Sequence, residues 1–225
     1  MWKQHIAVIG GSGKLGQYMI LHLLESGYKV TAVCRPQSIE KLSHFKDEIR
    51  IVAAYTNDRR ALEALLPEVD GVLTVLAPWG CNNYASGTAQ AVLDFAPRDA
   101  RIIFSCGWHI SYDGKDRYSG VQKTVFYVFD KLARWLRFAD LQDQVRATEL
   151  IFASNRNWTV VRGSDLEEGE SEGLPIWAEH VGDSRIAHNI TRRIDFAQFM
   201  VVALKNDALI QKAPAIASVK ADFKR

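Results

Sequence analysis

Short apolar runs alternate with amphipathic stretches through the first two thirds of the chain. The runs are rich in valine and isoleucine and mostly lack polar alternation, which is typical of strands covered on both faces of a parallel sheet. The predicted strands are 6–9, 30–34, 49–53, 71–76, 102–106 and 159–161. Because helical patterns separate these runs, the sequence predicts an α/β protein with a doubly wound parallel sheet and helices on both of its faces.

Apolar positions spaced three or four residues apart mark the helices. The predicted helices are 15–26, a helix capped by Asp58 that reaches Leu66, 85–95, 125–139, one ending near Ser154, and 195–204. Residues 107–123, after the fifth strand, show no helical period, and loops of this length inside a domain are usually functional.

The composition is that of an ordinary globular protein. The chain has 225 residues, of which 48% are hydrophobic and 24% charged, and its formal net charge is only +2. So small a surplus gives no support to a nucleic-acid or membrane-surface partner. No apolar stretch approaches the ~20 residues that a membrane helix needs. We predict one domain over 1–225, with a small C-terminal substrate region and substrate-side segments at about 107–140 and 163–192.

Cysteine and histidine usage indicates neither a disulfide framework nor a metal site. Cys34, Cys81 and Cys106 are odd in number and form no Cys-x-x-Cys pair, and the six histidines show no metal-binding spacing. The apolar run after the first residues is too short for a signal peptide. We predict a cytoplasmic protein with reduced thiols.

A glycine-rich loop stands where the first strand ends and the first helix begins. Residues 10–16 read GGSGKLG and contain both G-x-G-x-x-G and G-x-x-G-x-x-G. Glycine here permits a tight turn, close approach to a pyrophosphate and packing of the helix on its strand, while the N–H groups of the helix start face the anion. The sequence therefore predicts dinucleotide binding by Gly10, Ser12, Gly13, Lys14, Leu15 and Gly16.

The end of the second strand distinguishes NADP from NAD. An NAD-preferring fold usually places an acid there to bind the ribose hydroxyls, whereas this strand ends with Arg35. A guanidinium suits a 2′-phosphate, and Ser38 and Lys41 lie close enough in sequence to assist it. NADP is therefore favoured over NAD. Leu76 and Ala77, after the fourth strand, and Ser105, in the fifth, complete the predicted cofactor-binding set.

Residues 6–16 (IAVIGGSGKLG), with Arg35 ending the second strand, resemble the atypical short-chain dehydrogenase/reductases, the NAD(P)-binding group with NmrA-like and biliverdin reductase B-like members. Residues 150–162 are similar to the family's helix and sixth strand. Residues 193–197 (RIDFA) are similar to the R-x-D-x-A that opens its C-terminal helix. The resemblance implies a Rossmann-like sheet of strand order 3-2-1-4-5-6, with the substrate pocket over the nicotinamide at the carboxyl ends of the strands.

One departure from the family concerns adenine. The family often has Gly-Asp after the third strand, and its aspartate meets the adenine. Ala54 and Tyr55 stand there in this chain, and only the later Asp58 matches. How the chain recognises adenine is therefore left open by the sequence.

Two interpretations of catalysis stay open. Catalytic members of the superfamily use a serine with a Y-x-x-x-K pair, in which tyrosine transfers a proton and lysine lowers the pKa of the tyrosine and binds the ribose. Ser105 with Tyr127 and Lys131 fits this pattern. Counting back from the sixth strand instead puts the tyrosine and lysine positions near Asp140 and Gln144, which favours the absence of the pair.

The second interpretation needs no Tyr-Lys pair, because a flavin or quinone reductase mainly holds its acceptor flat against the nicotinamide. Residues 105–109 (SCGWH) supply the Ser105 hydroxyl, the Trp108 ring and the His109 imidazole, which we expect to donate a proton near neutral pH. Trp108 equally suits a core position and His109 a surface loop. Pro78, Trp79 and Tyr84 suit either a pocket wall or a cover for the sheet edge.

The sequence thus favours an NADP-dependent oxidoreductase of the atypical short-chain type that acts on a small carbonyl, quinone or flavin-like molecule. A non-catalytic NAD(P)-sensing regulator and an NAD(P)-dependent isomerase or epimerase are the alternatives. The expected partner is a small-molecule substrate, with a homodimer also allowed and no nucleic acid, membrane or metal.

Overall fold

A parallel sheet forms the centre of the computed structural model, which describes residues 4–76, 83–120, 124, 140–186 and 190–219. Its first six strands are β1 (His5–Ile9), β2 (Lys29–Cys34), β3 (Arg50–Ala53), β4 (Gly71–Val75), β5 (Arg101–Gly107) and β6 (Trp158–Gly163). They lie in the order 3-2-1-4-5-6 and are parallel throughout. The predicted Rossmann-like fold class and strand order are confirmed.

The helices cover both faces of this sheet, as predicted. They are α1 (Lys14–Glu25), α2 (Arg59–Leu65), α3 (Tyr84–Phe95), α4 (Leu141–Phe152) and α5 (Arg193–Ala203). Helices α1 and α5 pack together on one face, and α3 packs between α2 and α4 on the other. Alternate β1 residues supply the two cores, because Ile6 and Val8 face the first layer and Ala7 and Ile9 the second. The predicted helix 125–139 lies outside the described residues.

Two aspartates cap the first turns of helices, and the cap at Asp58 was predicted from the sequence. The Asp58 side chain accepts hydrogen bonds from the N–H groups of Arg60 and Ala61 at the start of α2. The Asp140 side chain does the same for Gln142 and Asp143 at the start of α4. Each carboxylate satisfies N–H groups that lack an intrahelical acceptor.

Short strands that were not predicted from the sequence extend the sheet. β10 (Ala215–Ala217) runs parallel to β6, and β8 (Ile176–Ala178) pairs antiparallel with β10. β7 (Asp165–Glu167) and β9 (Ile190–Arg192) form a separate parallel pair. Residues Pro36–Phe45, where no element was predicted, form 3₁₀ turns. The single-domain organisation over 1–225 stays a prediction.

A buried ion pair holds the loop after β5 against the sheet. The Arg162 guanidinium lies 2.6 Å from the Asp116 carboxylate, and both side chains are almost fully buried. Arg162 also donates hydrogen bonds to the carbonyl groups of Ile110, Glu179 and Ala213. Because these acceptors come from separate segments, one side chain fixes the loop, β6 and the residues beside β8 and β10 together.

Candidate functional site

A cleft of about 680 Å³ opens at the carboxyl ends of the parallel strands. In doubly wound sheets this edge is where ligands bind. The predicted site residues that line the cleft are Gly10, Ser12, Gly13, Lys14, Leu15, Gly16, Arg35, Ser38, Leu76, Ser105 and His109. Ala77, Tyr127 and Lys131, the other predicted members, lie outside the described residues. The structure thus brings the rest of the predicted set into one continuous cleft, while their roles stay predictions.

The glycine loop leaves the first turn of α1 open to the cleft. Gly10 has φ of +89°, in the left-handed region, and its N–H donates to the Val33 carbonyl oxygen at 3.0 Å. A Cβ on Gly16 would lie 2.7 Å from Gly11 Cα, so helix and loop pack too closely for any side chain there. Gly13 begins the helix without a side-chain cap. The first N–H groups of α1 have no intrahelical acceptor and suit a pyrophosphate.

Basic and hydroxyl groups mark the end of the cleft beside β2. Arg35 is exposed, Ser38 is buried, and both line the cleft together with Lys41. Among the described residues no carboxylate lies within ion-pair distance of Arg35. Guanidinium, ammonium and hydroxyl groups are side-chain groups that bind phosphate in proteins.

Two tyrosines line the cleft beyond this end. Tyr55 and Thr56 follow β3, and Tyr84 begins α3. The Tyr84 position confirms the pocket-wall interpretation, whereas Pro78 and Trp79 lie outside the described residues. Asp58, the residue that matches the family's adenine-binding acid, caps α2 as predicted and does not line the cleft.

The other end of the cleft combines Ser105, His109 and Gln144. Ser105 lies in β5, and His109 follows that strand with its ring folded back over Gly107, where a Cβ would lie 2.7 Å from Nδ1. The Gln144 side chain, from α4, donates a hydrogen bond to the Leu76 carbonyl oxygen and lies near His109. A helix and the ends of two strands therefore fix these polar groups.

The protonation of His109 depends on its surroundings in the cleft. Burial lowers the pKa of His109 to about 4, although the nearby Gln144 side chain opposes the shift. The imidazole is therefore neutral near pH 7, and proton donation by His109 stays a prediction. A neutral imidazole still orients a ligand by hydrogen bonding.

Trp108 lies in the core and does not line the cleft. Its Nε1 donates to the Arg162 carbonyl oxygen at 3.1 Å, and its ring packs with Ala178, Val181 and Ile186. The expectation that it offers an aromatic plane to the acceptor is corrected, and the core interpretation is confirmed. Alternation along the chain accounts for the difference, because Gly107 and His109 face the cleft and the residue between them faces away.

An acidic segment, residues 165–172, lies beside the cleft. The Glu168 carboxylate accepts hydrogen bonds from Arg193 Nε at 2.7 Å and from the Tyr18 hydroxyl at 3.1 Å, and Lys14 Nζ lies 3.5 Å away. Arg193 lowers the pKa of Glu168, so this carboxylate stays ionised. Lys14, Leu166 and Arg193 all line the cleft. The segment thus joins α1 to the start of α5 beside the site.

Several residues that line the cleft were not predicted from the sequence, and they are Tyr55, Thr56, Leu141, Gln144, Gly163, Ser164, Leu166, Arg193 and Phe196. One signal was available for Gln144, since the count from the sixth strand reached it as the position of the family's lysine. Its place in the cleft agrees with that count. The position of the Tyr127 and Lys131 pair stays untested.

Two absences complete the description of the site. Over the described ranges no three histidine, cysteine, aspartate or glutamate side chains cluster as metal ligands would. Within the same ranges no helix has the length and apolar character needed to cross a membrane.

Comparison with known proteins defines the class. A family model described as NAD(P)H-binding matches residues 10–207, so the chain belongs to this NAD(P)H-binding family. The match includes the glycine loop, Arg35 and the strand ends around the cleft. It confirms, at the level of the family and the fold, the resemblance seen in the sequence.

Solved structures with the same fold include reductases. A short-chain dehydrogenase/reductase from Veillonella parvula in complex with NADP has a TM-score of 0.71 at 14% identity, covering 99% of this chain and 98% of the other. ChuY, an anaerobillin reductase from Escherichia coli O157:H7, has a TM-score of 0.72 at 16% identity, covering 98% and 99%. At these identities the likeness shows the fold.

A curated relative shares a shorter region. Anthocyanidin reductase from Arabidopsis thaliana is 32% identical over 77 residues, which are 32% of this chain and 23% of that protein. The chain therefore matches about a quarter of this relative's length. Family and fold together define an NAD(P)-binding protein with an oxidoreductase-like Rossmann fold.

Proposed function

We propose that the chain is an NADP-dependent reductase that transfers a hydride to a small planar or carbonyl acceptor. The observation that carries the proposal is one continuous cleft with an anion-binding helix start, an acid-free basic end at Arg35 and a polar end at Ser105, His109 and Gln144. The NADP-bound and reductase neighbours support it because they share this fold.

The residues present fit the dinucleotide. The uncapped first turn of α1 would hold the pyrophosphate, and Arg35, with Ser38 and Lys41, would hold the 2′-phosphate. When bound, the nicotinamide supplies the hydride. Gly16 packs closely on Gly11, so the loop lies directly against the start of α1. In this position its backbone N–H groups would be able to reach the phosphates.

The acceptor end positions its ligand by neutral hydrogen-bonding groups. Gln144 lies near His109, and the low pKa of His109 keeps the ring neutral at pH 7. The Phe196 and Leu141 side chains add apolar walls. Such a surface orients a flat conjugated acceptor, and orientation against the nicotinamide contributes much of the rate.

Calorimetric titration tests the cofactor assignment. The wild type is expected to bind NADP(H) more tightly than NAD(H), and Arg35→Ala should remove most of this preference by weakening NADP(H) alone. Arg60→Ala, an exposed arginine on α2 outside the cleft, is the matched control and should leave both affinities unchanged. Equal affinities of the wild type for the two cofactors would overturn the NADP assignment.

A further inference from the structure

Two aromatic rings from different elements stand together at the rim of the cleft. The Tyr55 and Tyr84 rings are parallel to within 8°, and their centroids are 6.3 Å apart. Both line the cleft, and Tyr55 is 42% exposed although it is large and apolar. A parallel pair at the rim of a cleft, with the Tyr55 ring exposed, is suited to stacking against a third flat ring.

The position of the pair relates it to the cofactor's base. This step rests on the proposed function, in which Arg35 and Lys41 hold the 2′-phosphate of the adenosine ribose. The base is carried by the same ribose, and β3, which leads to Tyr55, is the direct neighbour of β2, which leads to Arg35. A base on that ribose therefore lies within reach of the two tyrosines.

The segment after β3 offers little else that could recognise adenine. The Asp58 carboxylate does not line the cleft, and its Oδ1 accepts hydrogen bonds from the N–H groups of Arg60 and Ala61 at 3.1 and 3.2 Å at the start of α2. Asn57 packs against α3, where a Cβ on Gly87 would lie 3.1 Å from Asn57 Cβ. Of the side chains in this segment, those of Tyr55 and Thr56 are left to line the cleft.

We propose that this chain recognises the base of its cofactor by stacking on Tyr55 and Tyr84, and not by a carboxylate that binds the exocyclic amine. Every purine presents a flat π face, so stacking tolerates changes at the edge of the base. The tyrosines thus make the site selective for an aromatic base at this position and permissive about its exocyclic group.

Titration with NADPH and with the reduced form of nicotinamide hypoxanthine dinucleotide phosphate separates the two modes of recognition. The hypoxanthine cofactor replaces the 6-amino group by an oxo group and keeps the flat ring. We expect the wild type to bind the two within about two-fold of each other, because the face of the base is unchanged. Preference for adenine by about ten-fold or more would overturn the proposal.

Substitution of the tyrosines gives the second arm. We expect each alanine variant, Tyr55→Ala or Tyr84→Ala, to bind both cofactors about five- to ten-fold more weakly than the wild type. The phenylalanine variants, Tyr55→Phe and Tyr84→Phe, keep the ring and should bind the cofactors like the wild type. Tyr112→Ala, an exposed tyrosine outside the cleft, is the control. Thermal melting of each variant separates loss of binding from loss of folding. If the alanine variants fail to fold, Tyr55→Phe and the titration of the wild type with the hypoxanthine cofactor still test the proposal.

The outcomes distinguish this inference from the function on which it rests. Wild-type binding of NADPH with no effect of either alanine variant would overturn the stacking proposal alone. A wild type that binds no dinucleotide would overturn the proposed function and the stacking proposal with it.

Discussion

At the level of single residues, Gly13 and Gly16 of the glycine loop have different surroundings. Gly13 has an ordinary extended backbone, with φ of −71° and ψ of 158°, and it faces the cleft. Gly16 instead packs on the backbone of Gly10 and Gly11. We therefore expect Gly13 to serve ligand binding, while Gly16 serves the packing of loop and helix.

Substitution of each glycine by valine separates an effect on cofactor binding from an effect on stability. Gly13→Val should keep the melting temperature within a few degrees of the wild-type value. It should weaken NADPH binding at least ten-fold, about 1.4 kcal/mol, because the side chain enters the space of the pyrophosphate. Gly16→Val should lower the melting temperature markedly, since its side chain meets backbone. Thermal melting with and without NADPH measures both. An unchanged NADPH affinity in Gly13→Val would show that the loop is structural only.

Protonation of His109 makes folding sensitive to acid. The folded pKa is about 4, against an ordinary value of 6.5, so the unfolded chain binds more protons between these values. Stability is therefore fully present above pH 6.5 and falls as the pH drops toward 4. Burial also lowers the pKa of His5, which acts in the same direction.

Urea unfolding at about pH 7.5 and about pH 5 measures this contribution. His109→Gln should reduce the loss of stability between these pH values by about 1 kcal/mol, a figure discounted for partial exposure of the ring. The exposed His44→Gln is the control and should retain the wild-type loss. If His109→Gln loses as much stability as the wild type, the neutral buried imidazole is contradicted.

Part of the candidate site could be predicted from residue types and their spacing in the sequence. A glycine-rich loop at a helix start and an arginine at a strand end are both typical of phosphate binding, so Gly10 to Gly16 and Arg35 were predictable. Gln144 and Tyr55 have no distinctive spacing, and only the folded chain shows that they face the cleft. The pKa of His109 was out of reach because it depends on burial against Gln144 and Gly107.

At the scale of elements, the buried Asp116 and Arg162 pair anchors the loop that carries His109. Asp116→Asn would leave a guanidinium buried without its counter-charge, and we expect a loss of about 3–5 kcal/mol in the free energy of unfolding. Asp113→Asn, which removes the exposed partner of Lys115 and His180, should cost under about 1 kcal/mol. Chemical denaturation compares the two, and equal small losses would argue against the anchoring role.

The acidic segment after β6 competes for the positive charges of the cleft. Glu168→Gln removes the carboxylate shared by Lys14, Tyr18 and Arg193, and it should raise NADPH affinity about two- to five-fold at low salt, with a smaller effect at high salt. Glu170→Gln, which changes the net charge equally on the same segment, is the control. Titration at two salt concentrations would refute the idea if Glu168→Gln bound NADPH no better than the control.

Long elements were predictable and short ones were not. The strands at 6–9 and 30–34 are continuous apolar runs and were placed to within one residue of β1 and β2. β8 and β10 have three residues each, too few to show a period, and β10 exists because Arg162 and Gly163 offer it a strand edge. Their pairing is a tertiary effect.

At the scale of the whole molecule, the fold arranges the candidate site as a path. The cleft runs from the basic end beside β2, past the glycine loop at β1, to the polar end at β4, β5 and α4. This order follows from the sheet order 3-2-1-4-5-6, because each segment of the cleft is the carboxyl end of a neighbouring strand. A dinucleotide laid along it would bring its nicotinamide to Ser105 and His109.

Stopped-flow mixing of the protein with NADPH and a panel of flavins, quinones and aldehydes is the decisive test of the proposed reductase activity. We predict acceptor-dependent loss of nicotinamide absorbance, faster with NADPH than with NADH. Tyr127→Phe should retain this activity, and Ser105→Ala or His109→Ala should lose most of it. Tight NADPH binding without turnover of any acceptor would contradict the reductase assignment and favour a dinucleotide sensor.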